Sequence, residues 1–190
     1  MLPELGHFAL IIALCVAAIQ GVLPMLGAVR GIPAWTSLAR PAAWMQFLFL
    51  GTAFALLAQA FIANDFSVAY VAGNSNSNLP LVYRVSAVWG GHEGSLLLWA
   101  LMLAGWSAAV ALFSRSLPAL MVARVLSVLG LVSMGFLSFI LVTSNPFARL
   151  ALAPVDGRDL NPLLQDPGLV LHPPALYMGY VGFSVAFAFA

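Results

Sequence analysis

Two segments hold most of the groups able to do chemistry. The first is Trp89-Gly90-Gly91-His92-Glu93-Gly94-Ser95, continuing to Trp99. Its three glycines let a ligand approach backbone N–H groups closely. Ser95 is placed to cap the helix that follows, whose N-terminal dipole end would favour an anion. The alternative reading is a glycine-rich lead into a helix, with Trp89 and Trp99 in an aromatic belt at a membrane surface. The second segment is Asp166-Pro167-Gly168-Leu169-Val170-Leu171-His172-Pro173-Pro174. The paired prolines stiffen the backbone immediately after His172 and suit the first turn of a following helix. A rigidly held neutral imidazole is a good axial ligand for haem iron. The alternative is a histidine that only anchors or caps the interface.

Other chemistries find little support. His92-Glu93 is one histidine and one carboxylate on adjacent positions that diverge on a helix, which falls short of a zinc site. His7 has no motif around it and reads as interfacial. Cys15 stands alone in an apolar run and reads as a packing residue. Without a CxxC or CxxCH the chain carries neither a dithiol redox pair nor a covalent haem site. There is no Ser-His-Asp set, phosphate loop or Rossmann glycine pattern. No basic tract points to nucleic acid.

The elements that must position these segments follow from composition. Apolar residues make up 63% of the chain and charged residues 7%. Soluble domains carry roughly 25% charged residues. The chain therefore reads as an all-α integral membrane protein. About 20 apolar residues cross a bilayer, and five runs approach that length, at about 8–29, 42–63, 95–113, 121–142 and 174–190. The second starts through Pro41, and the fourth stops at Asn145-Pro146. Small and polar residues Ser127, Gly130, Ser133 and Ser138 along the fourth run suit close helix packing. Ionisable residues are almost absent from the runs, which argues against an ion-coupled transport path.

Charge gives the expected orientation. Arg30, Arg40, Arg115 and Arg124 flank the two short connections, where there is no acid. All six acids lie on the other side, with Arg84, Arg149 and Arg158. The arginine bias places the short turns in the cytoplasm and the N-terminus outside. The residues up to His7 contain no Lys or Arg, unlike the basic start of a signal peptide, so the first helix is expected to be retained. Two long connections, about 64–94 and 143–173, then lie outside, and loops of that length are usually functional. Within the first, Gly73 to Asn78 reads as turn-rich and Pro80 to Val88 as an apolar stretch along the interface.

Several longer segments carry a resemblance: Asp65-Phe66-Ser67-Val68-Ala69-Tyr70-Val71, Leu79-Pro80-Leu81 with Tyr83-Arg84-Val85, Trp89-Gly90 with His92-Glu93-Gly94-Ser95, Ser144-Asn145-Pro146-Phe147, Asp156-Gly157-Arg158-Asp159-Leu160-Asn161-Pro162-Leu163-Leu164-Gln165-Asp166 and His172-Pro173-Pro174. In these the chain resembles the N-terminal part of the CcmF/NrfE family, the haem lyase subunits of cytochrome c maturation. The resemblance implies a multi-pass protein of the bacterial inner membrane that presents haem b on the periplasmic face for covalent attachment to apocytochrome c. It implies partnership with other maturation subunits and a haem chaperone. His172 matches the first of two outward haem-ligating histidines. The second histidine, the tryptophan-rich segment and the two ligands of a separate membrane-buried haem would all lie beyond residue 190. The expectation is that the protein continues past Ala190 or is completed by another chain, so that residues 1–190 alone make an incomplete lyase.

Haem propionates are anionic, so Arg84, Arg149 and Arg158 are candidate partners for them. Each could equally pair with Asp65, Asp156 or Asp159 within the loops. Trp89, Gly90, Gly91, His92 and Glu93 are candidate haem or partner contacts. Two competing functions stay open: a transporter or channel subunit, and a scaffold for the maturation complex without its own haem site.

Overall fold

The computed structural model describes residues 1–190. The chain is all helix: α1 (Leu2–Arg30), α2 (Pro33–Thr36), α3 (Ala39–Ile62), α4 (Ala69–Asn74), α5 (Leu81–Ala87), α6 (His92–Phe113), α7 (Ala119–Thr143) and α8 (Pro167–Phe189), with a 3₁₀ turn at Pro162–Gln165. Five of these, α1, α3, α6, α7 and α8, are long and apolar enough to cross a membrane. Each is longer or earlier than hydropathy alone implies. α1 begins at Leu2 with Pro3 in its first turn, where no backbone donor is lost. It ends at Gly31, whose φ of 67° is left-handed and closes the helix onto Gly27. α6 begins at His92 and α8 at Pro167, which changes the setting of both candidate segments.

The helices run alternately up and down. At one end gather Glu4, Asp65, Glu93 and the 144–166 connection. At the other lie Arg30, Arg40, Arg115 and Arg124. There Arg40 Nη2 donates to Ser114 O (3.0 Å) and Nη1 to Ala111 O. The cation thereby sits on the negative end of the α6 dipole.

α1 packs between α3 and α7. It crosses α7 where two glycines meet: a Cβ on Gly130 would stand 2.7 Å from Gly21 N. Such close approach is the means by which membrane helices gain van der Waals contact. Beside the crossing, Gln20 Nε2 donates to Leu126 O (2.8 Å). Ser127 Oγ returns to Ala123 O (2.8 Å).

α8 lies on the flank of the bundle. Only 11% of its apolar window is buried, against 33–50% for the other spans. Tryptophans attach it. Trp89 Nε1 donates to Val170 O (3.1 Å) and Trp106 Nε1 to Met178 O (3.2 Å), while the Trp99 ring meets Tyr177 edge to face at 6.3 Å.

The two long connections are ordered and hold each other. Ala69 N–H donates to Ala148 O (2.8 Å), Leu150 N–H to Ser67 O (2.9 Å) and Arg158 N–H to Ala72 O (2.8 Å). Asp156 accepts from the Ser77 amide (2.9 Å) and hydroxyl (2.7 Å), and Asp159 accepts from Asn76 Nδ2. The apolar stretch after Pro80 becomes α5, burying Ser86 and Ala87 and exposing Leu81 and Val82.

Candidate functional site

The Trp89–Ser95 segment is built around Tyr70. The phenol donates to Val88 O (3.0 Å) and its oxygen accepts the Gly91 N–H (2.9 Å). Burial pushes its ionisation upward, so it stays a neutral donor–acceptor. Gly91, with extended backbone, is the residue before the first turn of α6. Ser95 lies inside the helix, so the expected Ser95 cap is corrected: its hydroxyl donates back to Trp89 O (2.8 Å). The reason is that Tyr70 already supplies an acceptor at this helix start.

The glycines make room for protein, not for an incoming molecule. A Cβ on Gly91 would stand 2.8 Å from the Tyr70 ring, and one on Gly90 3.0 Å from Leu160 Cδ1. On Gly94 it would stand 2.6 Å from the Tyr70 hydroxyl and overlap the Val88 carbonyl oxygen. The Gly90 N–H is spent on Ala87 O (2.9 Å) and that of Gly91 on Tyr70. The expectation that these glycines offer open N–H groups therefore gives way to packing for Gly90 and Gly91.

His92 is exposed at the start of α6. Its Nδ1 lies 3.2 Å from Ser144 Oγ and its ring stands edge to face against Phe139 at 6.2 Å. With Ser95, Leu96, Trp99, Phe136 and Tyr177 it lines a cavity of about 230 Å³. Glu93 makes no side-chain hydrogen bond or ion pair. No group of three or more His, Cys, Asp or Glu side chains is placed to hold a metal ion. His7 Nδ1 lies 3.1 Å from Asn145 Nδ2, tying α1 to the loop after α7.

At His172 the expected prolines-at-the-first-turn arrangement is corrected. α8 starts earlier because Asp166 caps it, accepting from Gly168 N–H (2.8 Å) and Leu169 N–H (3.2 Å), and Pro167 occupies the first turn. Pro173 and Pro174 therefore fall inside the helix. Neither has an N–H, so the carbonyls of Leu169 and Val170 lose their i+4 donors. Trp89 supplies the missing donor to Val170 O. His172 is exposed and makes no side-chain hydrogen bond. It lies about half a turn out of phase with Val181, the buried residue of α8, so it points away from the bundle.

The three candidate arginines separate. Arg84 is committed to main chain: Nε to Leu79 O (2.7 Å), Nη2 to Ser77 O (2.8 Å) and Nη1 to Ile62 O (3.4 Å). Arg149 is committed to carboxylates, Glu4 at 2.7 Å and Asp65 at 3.3 Å, which hold its guanidinium above the ordinary range. Arg158 uses its backbone N–H on Ala72, and its side chain is exposed without a partner.

The residues fit a haem iron ligand in donor chemistry. His172 offers an uncommitted imidazole on an outward helix face, and Arg158 an uncommitted cation on the same end of the bundle. Tyr70, Asp166 and Ser144 are the positioning residues that sequence reasoning missed. Asp166-Pro167 does carry a signal, an acidic cap followed by proline at the first helical position.

Comparison with known proteins gives consistent relatives. The chain is 68% identical over 191 residues to cytochrome c-type biogenesis protein CcmF of Pseudomonas aeruginosa, covering 100% of this chain and 29% of the relative. It is 58% identical to the CcmF of Escherichia coli, covering 100% of this chain and 30% of that protein. Cytochrome c-type biogenesis protein NrfE of Haemophilus influenzae is 48% identical over 99% of this chain and 30% of its own length. The chain thus spans about three-tenths of the length of these relatives. Among solved structures, "Cytochrome c Heme Lyase CcmF" superposes with a TM-score of 0.83 at 26% identity, over 99% of this chain and 29% of that one. Residues 89–190, which run from the Trp89 segment through all of α8, match the model of the cytochrome C assembly proteins, and the chain belongs to that family.

Proposed function

We propose that this chain handles haem on the periplasmic face of the bacterial inner membrane, in support of covalent haem attachment to apocytochrome c. The observation that carries this reading is His172: an exposed imidazole without a hydrogen-bond partner, on a helix end that turns it away from the bundle. Haem b is the cargo, and His172 is its axial ligand from this chain. Iron ligated on one side leaves the porphyrin edge free to meet the thiols of an acceptor. Arg158, the uncommitted arginine at this end, pairs with a propionate. Partners are other maturation subunits, a haem chaperone as donor and apocytochrome c as acceptor. The same end of the bundle carries Met1, so the N-terminus is periplasmic, in keeping with the arginines at the other end.

The spans themselves favour this over transport. The buried polar side chains in α1, α3, α6 and α7 are glutamines and serines, with no charged residue among them. An ion or substrate path usually needs buried ionisable groups.

The test is haem retention by the His172→Ala protein purified from membranes. Loss of the outward-face haem, with the protein still inserted, is expected. Undiminished haem occupancy would overturn the assignment.

A further inference from the structure

We infer that Trp89 is the positioning residue for His172: its indole N–H replaces the backbone donor that Pro174 removes. It thereby fixes the direction in which the proline-interrupted start of α8 carries the imidazole. The inference rests on the reading of His172 as the haem ligand.

The geometry runs through the backbone. Val170 and Pro174 bracket His172 in sequence, and Val170 O would ordinarily accept from the residue at 174. Proline cannot donate, so residues 167–173 join the rest of α8 with two backbone bonds missing. Helices bend sharply at such points. Packing restrains this end weakly, because α8 is the least buried of the spans. The Trp89 indole reaches across to Val170 O at 3.1 Å. Trp89 itself is fixed. Its N–H donates to Ser86 O (3.2 Å), its carbonyl accepts from Ser95 Oγ (2.8 Å), and Ser86, Ala87 and Val88 before it are buried. The rigid body around Tyr70 is thus carried through one hydrogen bond to the turn that bears His172. A belt tryptophan merely seated at a membrane surface would require no such acceptor.

Trp89→Phe keeps the ring and removes the donor. In the protein reconstituted in lipid nanodiscs, amide hydrogen exchange at Gly168 to His172 should quicken about five- to tenfold, the factor expected from losing one hydrogen bond of ordinary worth. With haem bound, the ferric haem EPR signal should broaden into more than one species as the imidazole samples several orientations. Pro174→Ala restores a backbone donor for Val170 O, so Trp89→Phe placed on that background should leave exchange unchanged. Wild-type exchange in the Trp89→Phe protein, or an equal effect on both backgrounds, would overturn the inference. The exchange measurement needs no haem. Failure of the haem assignment, seen as full haem occupancy in His172→Ala, is therefore a separate result.

Discussion

Gly94 lies directly under the Tyr70 phenol, so close that a single methyl group there would stand 2.6 Å from the hydroxyl and overlap the Val88 carbonyl oxygen. That one relationship ties the short helix α4 to the start of α6 and sets where the following residues point. Phe61 packs edge to face against Tyr70 at 5.4 Å, which together with the phenol's hydrogen bonds restrains the ring from swinging away to make room.

Gly94→Ala should therefore be strongly destabilising. Overpacking a filled site costs about 1–3 kcal/mol, and here one of the opposing atoms is backbone, which puts the cost at the upper end. Tyr70→Phe should cost about 1–3 kcal/mol for each group it leaves unpaired, the Gly91 N–H and the Val88 O, without moving the ring. Thermal unfolding in a mild detergent, followed by tryptophan fluorescence, would rank the two. A Gly94→Ala protein as stable as wild type would contradict the packing described.

Arg84 and Arg158 should separate by phenotype. Arg84→Ala removes hydrogen bonds to Leu79 and Ser77 carbonyls and should lower stability by about 1.5–3 kcal/mol, the worth of charge-assisted bonds. Arg84→Lys should fail to rescue it, since an ammonium cannot span divergent carbonyls as the guanidinium fork does. Arg158→Ala should leave stability unchanged and reduce haem retention. The comparison needs only unfolding midpoints and haem-to-protein ratios for the three proteins, and unaltered haem retention in Arg158→Ala removes the propionate role.

Much of this fold was legible in sequence because a membrane imposes a coarse rule: apolar runs of the right length become spans, and here the acids gather at one end. Helix starts were less legible. At α6 the residue before the helix, Gly91, is held by Tyr70, which is distant in sequence, so local pattern pointed to Ser95 as a cap instead. At α8 the double proline looked like a beginning because prolines are tolerated there. The true beginning at Asp166-Pro167 had its own local signal, and the donor that reaches Val170 O at the interruption comes from Trp89, far away in sequence. The roles of the arginines were closed to sequence reasoning for a similar reason. Charge and side were known, but which of them had already met a carbonyl or a carboxylate depends on how the two long connections fold over each other.

The joint between those connections should loosen in acid. Asp156 is held below the usual carboxylate range by the Ser77 hydroxyl, the Ser77 amide and the Gly157 amide. Its folded pKa lies below its unfolded one, so its contribution is complete above the ordinary aspartate pKa of about 3.9 and is lost as pH falls through the lowered value. Amide exchange at Ser77 and Gly157, corrected for intrinsic rates, should stay protected from neutral pH down to that range and lose protection only below it. Asp156→Asn should show the loose joint at neutral pH. Protection that fades already between pH 7 and 5 would assign the joint to some other group.

The membrane interior offers a prediction of opposite sign. Gln46 of α3 is fully buried, and neither its amide nitrogen nor its amide oxygen has a protein partner. Gln20 has the same chemistry but a use for it, since its nitrogen meets Leu126 O. A polar group enclosed by apolar helices without a hydrogen bond costs about 1–3 kcal/mol on mutational scales. Gln46→Met keeps the length and flexibility of the side chain while removing both polar atoms, so it should raise the unfolding midpoint. Gln20→Met should lower it, because Leu126 O loses a donor and the α1–α7 crossing loses a restraint beside Gly130. Comparing the two variants isolates the hydrogen bond from the shared change in volume. A Gln46→Met protein less stable than wild type would mean that this amide is hydrogen-bonded in the folded protein, and that the α3 position is held by it.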